Sequence, residues 1–199
     1  IEFIGLDAFG QSVYDSTLYN ISWLEKSANR LHIRTANFLI KNTILFKNGD
    51  LLNPIDFAES EQLIRSQDFI EDANIVVSCT DDTTLVNVKV ITKDAWSIGV
   101  DYRYGNKYSS QLQIYDKNLG GLGVYLSTNL YYDSSKPTII CRKYELSVSN
   151  IGGSFIDGNV WERRGQGYET YAFSAKRDFY ASKAKYGGGA SFINSREPY

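Results

Sequence analysis

Few residues in this chain combine type and spacing in a way that chemistry needs. His32, in RLHIRT, is the only histidine, so any Ser–His or Cys–His mechanism has to run through it. No nucleophile signature accompanies it, and a structural or solvent-facing role is the better reading. Cys79 and Cys141 lie in different halves and read as two lone buried thiols rather than a disulfide. With a single histidine they do not compose a zinc site. Asp81-Asp82 carries charge enough for a cation, but an acidic pair at a hairpin tip is usually a solvated turn. The expectation is no enzyme, no cofactor and no metal within these residues.

One stretch does invite a ligand. YDKNLGGLGVYL, Tyr115 to Leu126, places Gly120, Gly121 and Gly123 directly after a strand-like run. A phosphate cradle needs a helix on its far side, so that free N–H groups and the helix dipole point at the anion. Here Val-Tyr-Leu-Ser-Thr-Asn-Leu-Tyr-Tyr follows, alternating, β-branched and aromatic, which is a strand pattern. The three glycines are read as letting the chain turn between two strands where side chains would crowd.

The composition shifts along the 199 residues. Residues 1–93 hold 8 Lys/Arg, 13 Asp/Glu and 3 glycines; residues 94–199 hold 13 basic and 10 acidic residues, 13 glycines and 13 of the 15 tyrosines. That places a boundary near Asp94, giving domains of 1–93 and 94–199. A net charge of −2 with no strongly basic segment excludes the usual nucleic-acid binder. There is no Met and no basic-then-apolar leader, so Ile1 reads as other than a translation start and the chain as a piece of something longer. No apolar run approaches the roughly 18 residues of a membrane helix, although β-barrels cross membranes without one.

In the first half, IEFIGLDAFG is a short strand candidate and Gln11 to Arg34 an irregular polar stretch. TANFLIKNTILF puts Ala36, Leu39, Ile40 and Ile44 on one helical face, with Thr35 as cap. FKNGD ends it. Asn53 caps a second helix, with Pro54 at its first position and Asp56 in its first turn, running to about Gln67. The strands ANIVVSC and TTLVNVKVIT follow, and in the second Val86, Val88 and Val90 share a face against Asn87 and Lys89. The expected module is β-α-α-β-β, an α+β arrangement with two helices on one face of a three-stranded sheet.

From Trp96 onward the pattern is alternation. Tyr108, Ser110, Leu112 and Ile114 oppose Ser109, Gln111 and Gln113. Val124, Leu126, Thr128 and Leu130 oppose Tyr125, Ser127 and Asn129. Tyr144, Leu146 and Val148 oppose Lys143, Glu145, Ser147 and Ser149. Apolar-out, polar-in strands of about ten residues suit a barrel in lipid, with tyrosines near strand ends at headgroup level. The same alternation also suits a soluble sandwich with one wet face, such as a two-domain protein whose Tyr-rich sheet binds a ligand like a glycan.

The run TANFLIKNTILFKNGDLLNPIDFAESEQLIRSQDFIEDANIVV, closing with VNVKVITKDAWSI, resembles a polypeptide-transport-associated (POTRA) domain, with Leu45, Gly49, Asp50, Leu63, Arg65, Phe69 and Ile75 at the family's motif positions. DKNLGGLG is similar to the hairpin that opens the barrel of the BamA/TamA-type outer-membrane assembly superfamily. SNIGGSFIDGNV and AKRDFYASKAKYGGGASF are similar to that family's next hairpins. The resemblance implies a periplasmic POTRA-like domain over 1–93 and the opening transmembrane strands of a partial antiparallel barrel over 94–199. VITKDAWSIGV leaves almost no linker between them. It further implies a bacterial outer-membrane protein that inserts or translocates proteins, or lipid. A haemolysin-type secretion pore is the alternative within the same architecture. Its partners would be unfolded or extended polypeptide clients, outer-membrane lipid, and accessory periplasmic or lipoprotein subunits, with no nucleic acid. The client edge, by analogy with the family, is Asn74, Ile75, Val76, Val77 and Ser78. Residues 94–199 can form about six or seven strands of roughly ten residues each, too few to close that family's barrel.

Overall fold

The structure is a computed structural model and describes residues 1–15, 20–81, 84–136, 140–165 and 167–196, without the side chain of Tyr168. It divides into two compact units, Ile1–Trp96 with Gly120–Leu122, and Ser97–Leu119 with Gly123–Tyr199.

The first unit begins with β1 (Glu2–Leu6), followed by α1 (Trp23–Leu31), α2 (Asn37–Thr43), α3 (Pro54–Arg65), β2 (Ile70–Cys79) and β3 (Val86–Asp94). Its sheet has the order β1-β3-β2, β1 parallel to the central β3 and β2 antiparallel to it. Ile40, Phe46, Ile64, Phe69, Ile70, Ala73, Val88 and Val90 form its core, with Phe3, Leu39, Ile44, Phe57 and Ile75 packed around them. The Phe46 and Phe57 rings meet edge-on at 4.4 Å, a geometry that suits the ring quadrupoles. Ser60 is fully buried and pins α3 to the preceding turn, accepting from the Leu45 N–H at 2.9 Å and donating to the Asp56 carbonyl at 2.5 Å.

Local signals fare well where the chemistry is local. Asn53 caps α3 by accepting from the Ile55 N–H, with Pro54 first in the helix and Asp56 in its first turn. The helix stops at Arg65 rather than Gln67. Three expectations need correcting. Thr35 does not cap α2; the helix starts one residue later, with Ala36 in the cap position and no side-chain cap bond, and the Thr35 N–H is bonded to the Asp94 carboxylate at 2.7 Å. That helix also ends at Thr43, one residue before Ile44. Finally, the stretch 11–34 is not wholly irregular. It contains α1, whose Ser22 and Glu25 close a reciprocal capping box.

The second unit is one all-antiparallel meander. Its strands are β4 (Ile98–Asn106), β5 (Ser109–Asp116), β6 (Val124–Asp133), β7 (Ile140–Val148), β8 (Asp157–Gly165), β9 (Tyr168–Arg177) and β10 (Gly188–Arg196). They stand in sequence order across the sheet, seven strands with β4 and β10 at its edges.

Two of its connections share a design. In Asn118-Leu-Gly-Gly-Leu-Gly123 the Asn118 side chain accepts from the Gly123 N–H at 2.7 Å; in Asn150-Ile-Gly-Gly-Ser-Phe155 the Asn150 side chain accepts from the Phe155 N–H at 2.8 Å. In each, an aspartate accepts from the asparagine's own N–H, Asp116 at 2.9 Å and Asp157 at 3.0 Å. The chain turns left-handed at Gly120 (φ 64°), Gly121 (74°) and Gly123 (64°), and again at Gly152 (60°), Gly153 (79°) and Phe155 (57°). A side chain at Gly121 would also run into the Arg34 carbonyl, and the Gly121 carbonyl accepts the Ala36 N–H at 2.9 Å. A strand follows the glycines, with no helix beyond them. Phe155 tolerates a backbone that usually needs glycine while its ring lies flat on Tyr180 at 3.7 Å.

Candidate functional site

The residues that could have carried chemistry are dispersed. His32 is buried, its Nε2 2.9 Å from the Asp94 Oδ2, and Asp94 is 1% exposed. With the Thr35 N–H on the same carboxylate oxygen and the Trp96 ring alongside His32, this is a structural tie between the end of α1 and the end of β3. Cys141 is buried, as expected of it, whereas Cys79 is exposed at the end of β2; both are free. Among the described residues no three His, Cys, Asp or Glu converge as a metal site. Of the Asp81-Asp82 pair, Asp82 lies outside the described residues. Among the described residues no helix is long and apolar enough to cross a membrane, which says nothing of strands.

The candidate client edge, Asn74 to Ser78, lies on β2, an edge strand of the first sheet. Its two ends differ. At the start, Arg65 reaches from the end of α3 to the Asp72 carboxylate, the Glu61 carboxylate, the Tyr14 hydroxyl and the Ala73 carbonyl. The hydrogen bond to Asp72, with Glu61 beside it, holds the Arg65 proton more tightly than usual. Glu61 also accepts the Ile75 N–H at 2.9 Å, and the Asn74 amide donates to the Val13 carbonyl at 3.3 Å. The Ala73 carbonyl and the Ile75 N–H on the outer side of this edge are thus taken by the unit's own side chains. Antiparallel ladders alternate, so with Ile75 facing out, Val76 bonds to Lys89 across the ladder and Val77 faces out again. Val76 and Val77 are each 39% exposed. The part of the edge open to an extended chain is therefore shorter than the five residues, centred on Val77.

The second unit's sheet has two unlike faces. Directly opposed residues share a face, and the register joins Leu126, Leu146, Val160, Phe173 and Phe192 into one apolar row across five strands. Val100, Ile114, Tyr102, Tyr104, Tyr132 and Tyr144 lie on the same face, and all of these side chains are exposed. Toward the other end of β7–β10 that face turns charged, with Arg142, Glu162, Arg164 and Glu169.

The opposite face is polar and more enclosed. Ser127 is 1% exposed, Asn129 4% and Thr170 7%. Gln111 donates to Asn129, Gln113 to the Tyr125 hydroxyl, Lys143 to Glu145, and Asn159 to both Glu145 and Ser147. Arg163 donates to the Cys141 sulfur at 3.3 Å and lies over the Tyr131 ring, as Lys143 lies over Trp161. The alternation in the sequence foretold the two faces. It did not foretell that the polar one would be the better covered.

No family model matches the sequence. No curated protein matches it either. Among solved structures the chain is similar to BamA from Haemophilus ducreyi lacking POTRA domains 1–3, with 14% identity over 88% of this chain and 31% of that one, at a TM-score of 0.49. The chain thus spans less than a third of the length of that structure.

Proposed function

We propose that this chain is the membrane-proximal part of a bacterial outer-membrane protein that inserts or translocates proteins or lipid. In this reading the first unit is a POTRA-like module on the periplasmic side, and the second contributes opening strands to a transmembrane barrel. The work is done by binding and by residence in the membrane, not by catalysis.

One observation carries the reading: the sheet of the second unit is inverted relative to a water-soluble one. A soluble sandwich hides its apolar face and wets its polar face. Here the apolar row of Leu126, Leu146, Val160, Phe173 and Phe192 is exposed, while Ser127 and Asn129 opposite are buried. Exposed apolar surface on that scale marks a place where something other than water belongs, and alternating strands with tyrosines on the outer face fit a bilayer. Extended clients are assigned to the open stretch of β2 around Val77, where backbone pairing holds a chain with little demand on its side chains. The test is fractionation of the native protein. Sedimentation with membranes and a need for detergent support the reading. Recovery in plain buffer as a compact monomer overturns it.

A further inference from the structure

The helix α1 is docked the wrong way round for a helix in water. Not one of its residues is buried. At about 100° per residue, Trp23, Leu24 and Leu31 fall within one 100° stripe, and Asn29 lies diametrically opposite. Asn29 is the residue that fastens the helix, donating to the Phe9 carbonyl at 2.8 Å and accepting the Phe9 N–H at 3.2 Å. The polar side therefore faces the unit and the apolar side faces out, leaving Trp23 73%, Leu24 61% and Leu31 74% exposed. Lys26 and Arg30 flank the stripe on the Trp23 side.

We infer that α1 is an interfacial helix that lies on the membrane surface, with Trp23, Leu24 and Leu31 at the acyl boundary and Lys26 and Arg30 on anionic phospholipid headgroups. The inference rests on the proposed membrane residence of the second unit. A strongly two-sided, on average polar helix with Trp and Leu on one face and flanking basic residues is the pattern of a helix lying in the interface plane. The long stems of Lys26 and Arg30 let their charges reach phosphates while their carbons stay against lipid.

Size argues against a protein as the occupant. Nine residues make a helix about 14 Å long, and its three exposed apolar side chains offer roughly 300–400 Å², at most half of the roughly 800 Å² per side in a stable protein interface. A helix that short binds lipid weakly alone, so it must be held near the surface. The fold supplies a tether. The C-cap residue His32 is bonded to Asp94, and Asp94 precedes the first sheet residue, Ile98, by four positions, at most about 14 Å of chain.

The test uses the whole chain reconstituted into phosphatidylethanolamine vesicles with and without phosphatidylglycerol, doped with lipids brominated at shallow or deep acyl positions. The difference in quenching between the native protein and W23F isolates Trp23. A bimane on L146C, in a chain whose exposed Cys79 is replaced by Ser, reports the sheet. The inference expects Trp23 quenched by shallow bromines and blue-shifted, with the bound-to-free ratio falling about fivefold when Lys26→Gln removes one basic contact. Trp23 unquenched while the L146C label is quenched by deep bromines overturns the helix assignment and leaves the membrane reading standing. A blue-shifted but unquenched Trp23 overturns it in favour of a contact with a second copy of the chain. A label unquenched by deep bromines means the sheet is not in lipid, and both readings fall.

Discussion

Leu146 is the second member of the five-strand apolar row, paired on both sides, and Ser147, its neighbour in β7, faces the opposite side. Replacing Leu146 by Arg tests what the row touches. If it touches lipid near the midplane, the cost is about 2–4 kcal/mol. If it touches water, a side chain already 38% exposed accepts Arg within about 0.5 kcal/mol. Ser147→Arg is the control. It forfeits the hydrogen bond from Asn159, about 1 kcal/mol, but keeps its charge on the polar face. The expected excess for L146R over S147R is thus about 1–3 kcal/mol, a factor of five or more in the folding equilibrium. Ser127 is no substitute control, because at 1% exposure it has no room for Arg, contrary to what its position on the polar parity suggested. Urea unfolding in lipid vesicles, followed by tryptophan emission, measures both variants. Equal costs at the two positions refute the assignment of faces.

Three further outcomes follow from the first unit. Asp94→Ala strands the buried His32 and the Thr35 N–H together and should cost about 2–3 kcal/mol, whereas Asp94→Asn, which keeps an acceptor, should cost less; thermal melts of the two variants compare them. The hydrogen bonds from Arg34 hold the Asp7 carboxyl below its usual range, so this contribution is present above the ordinary aspartate value of about 3.9 and is lost as pH falls through the depressed one. Asp7→Asn should therefore cost up to about 1 kcal/mol at neutral pH, modest because the pair is partly exposed, with no difference between variant and native protein in strong acid; a gap that persists there contradicts the pairing. Val77→Pro removes an outward N–H and should weaken binding of an extended peptide with the module still folded, while Val76→Pro breaks a ladder bond and should unfold it. Peptide binding unchanged in a folded V77P protein removes the edge as the client site.

How much the sequence told depended on how far apart the partners were. The start of α3 was legible to the residue because Asn53, Pro54 and Asp56 act on atoms within one turn. The start of α2 was not: the helix begins after Ala36, in a segment held by partners far away in sequence, the Thr35 N–H on Asp94 and the Ala36 N–H on the Gly121 carbonyl. Helix α1 went unread although its signal was present. Ser22 and Glu25 have capping-box spacing, but Trp23, Leu24 and Leu31 point away from any core, so no buried stripe drew attention to it. The sides of the second sheet could be read from period two alone, strand by strand. Their relative coverage could not, because it depends on seven strands lying side by side.

The sequence-ordered meander has a mechanical consequence. Among the described residues each of its strands is paired only with the strand before and the strand after it in the chain, so no strand pairing bridges distant parts of the sheet. Tension applied at the β10 end would reach β9 first, and β8 only after β9 had let go. Such a sheet yields like a zipper, one tooth at a time, each strand of about ten residues and its turn releasing roughly 35–70 Å of slack. Run backwards, the same rule lets the sheet lengthen at its β10 margin by adding one strand after another, without disturbing any row already laid down.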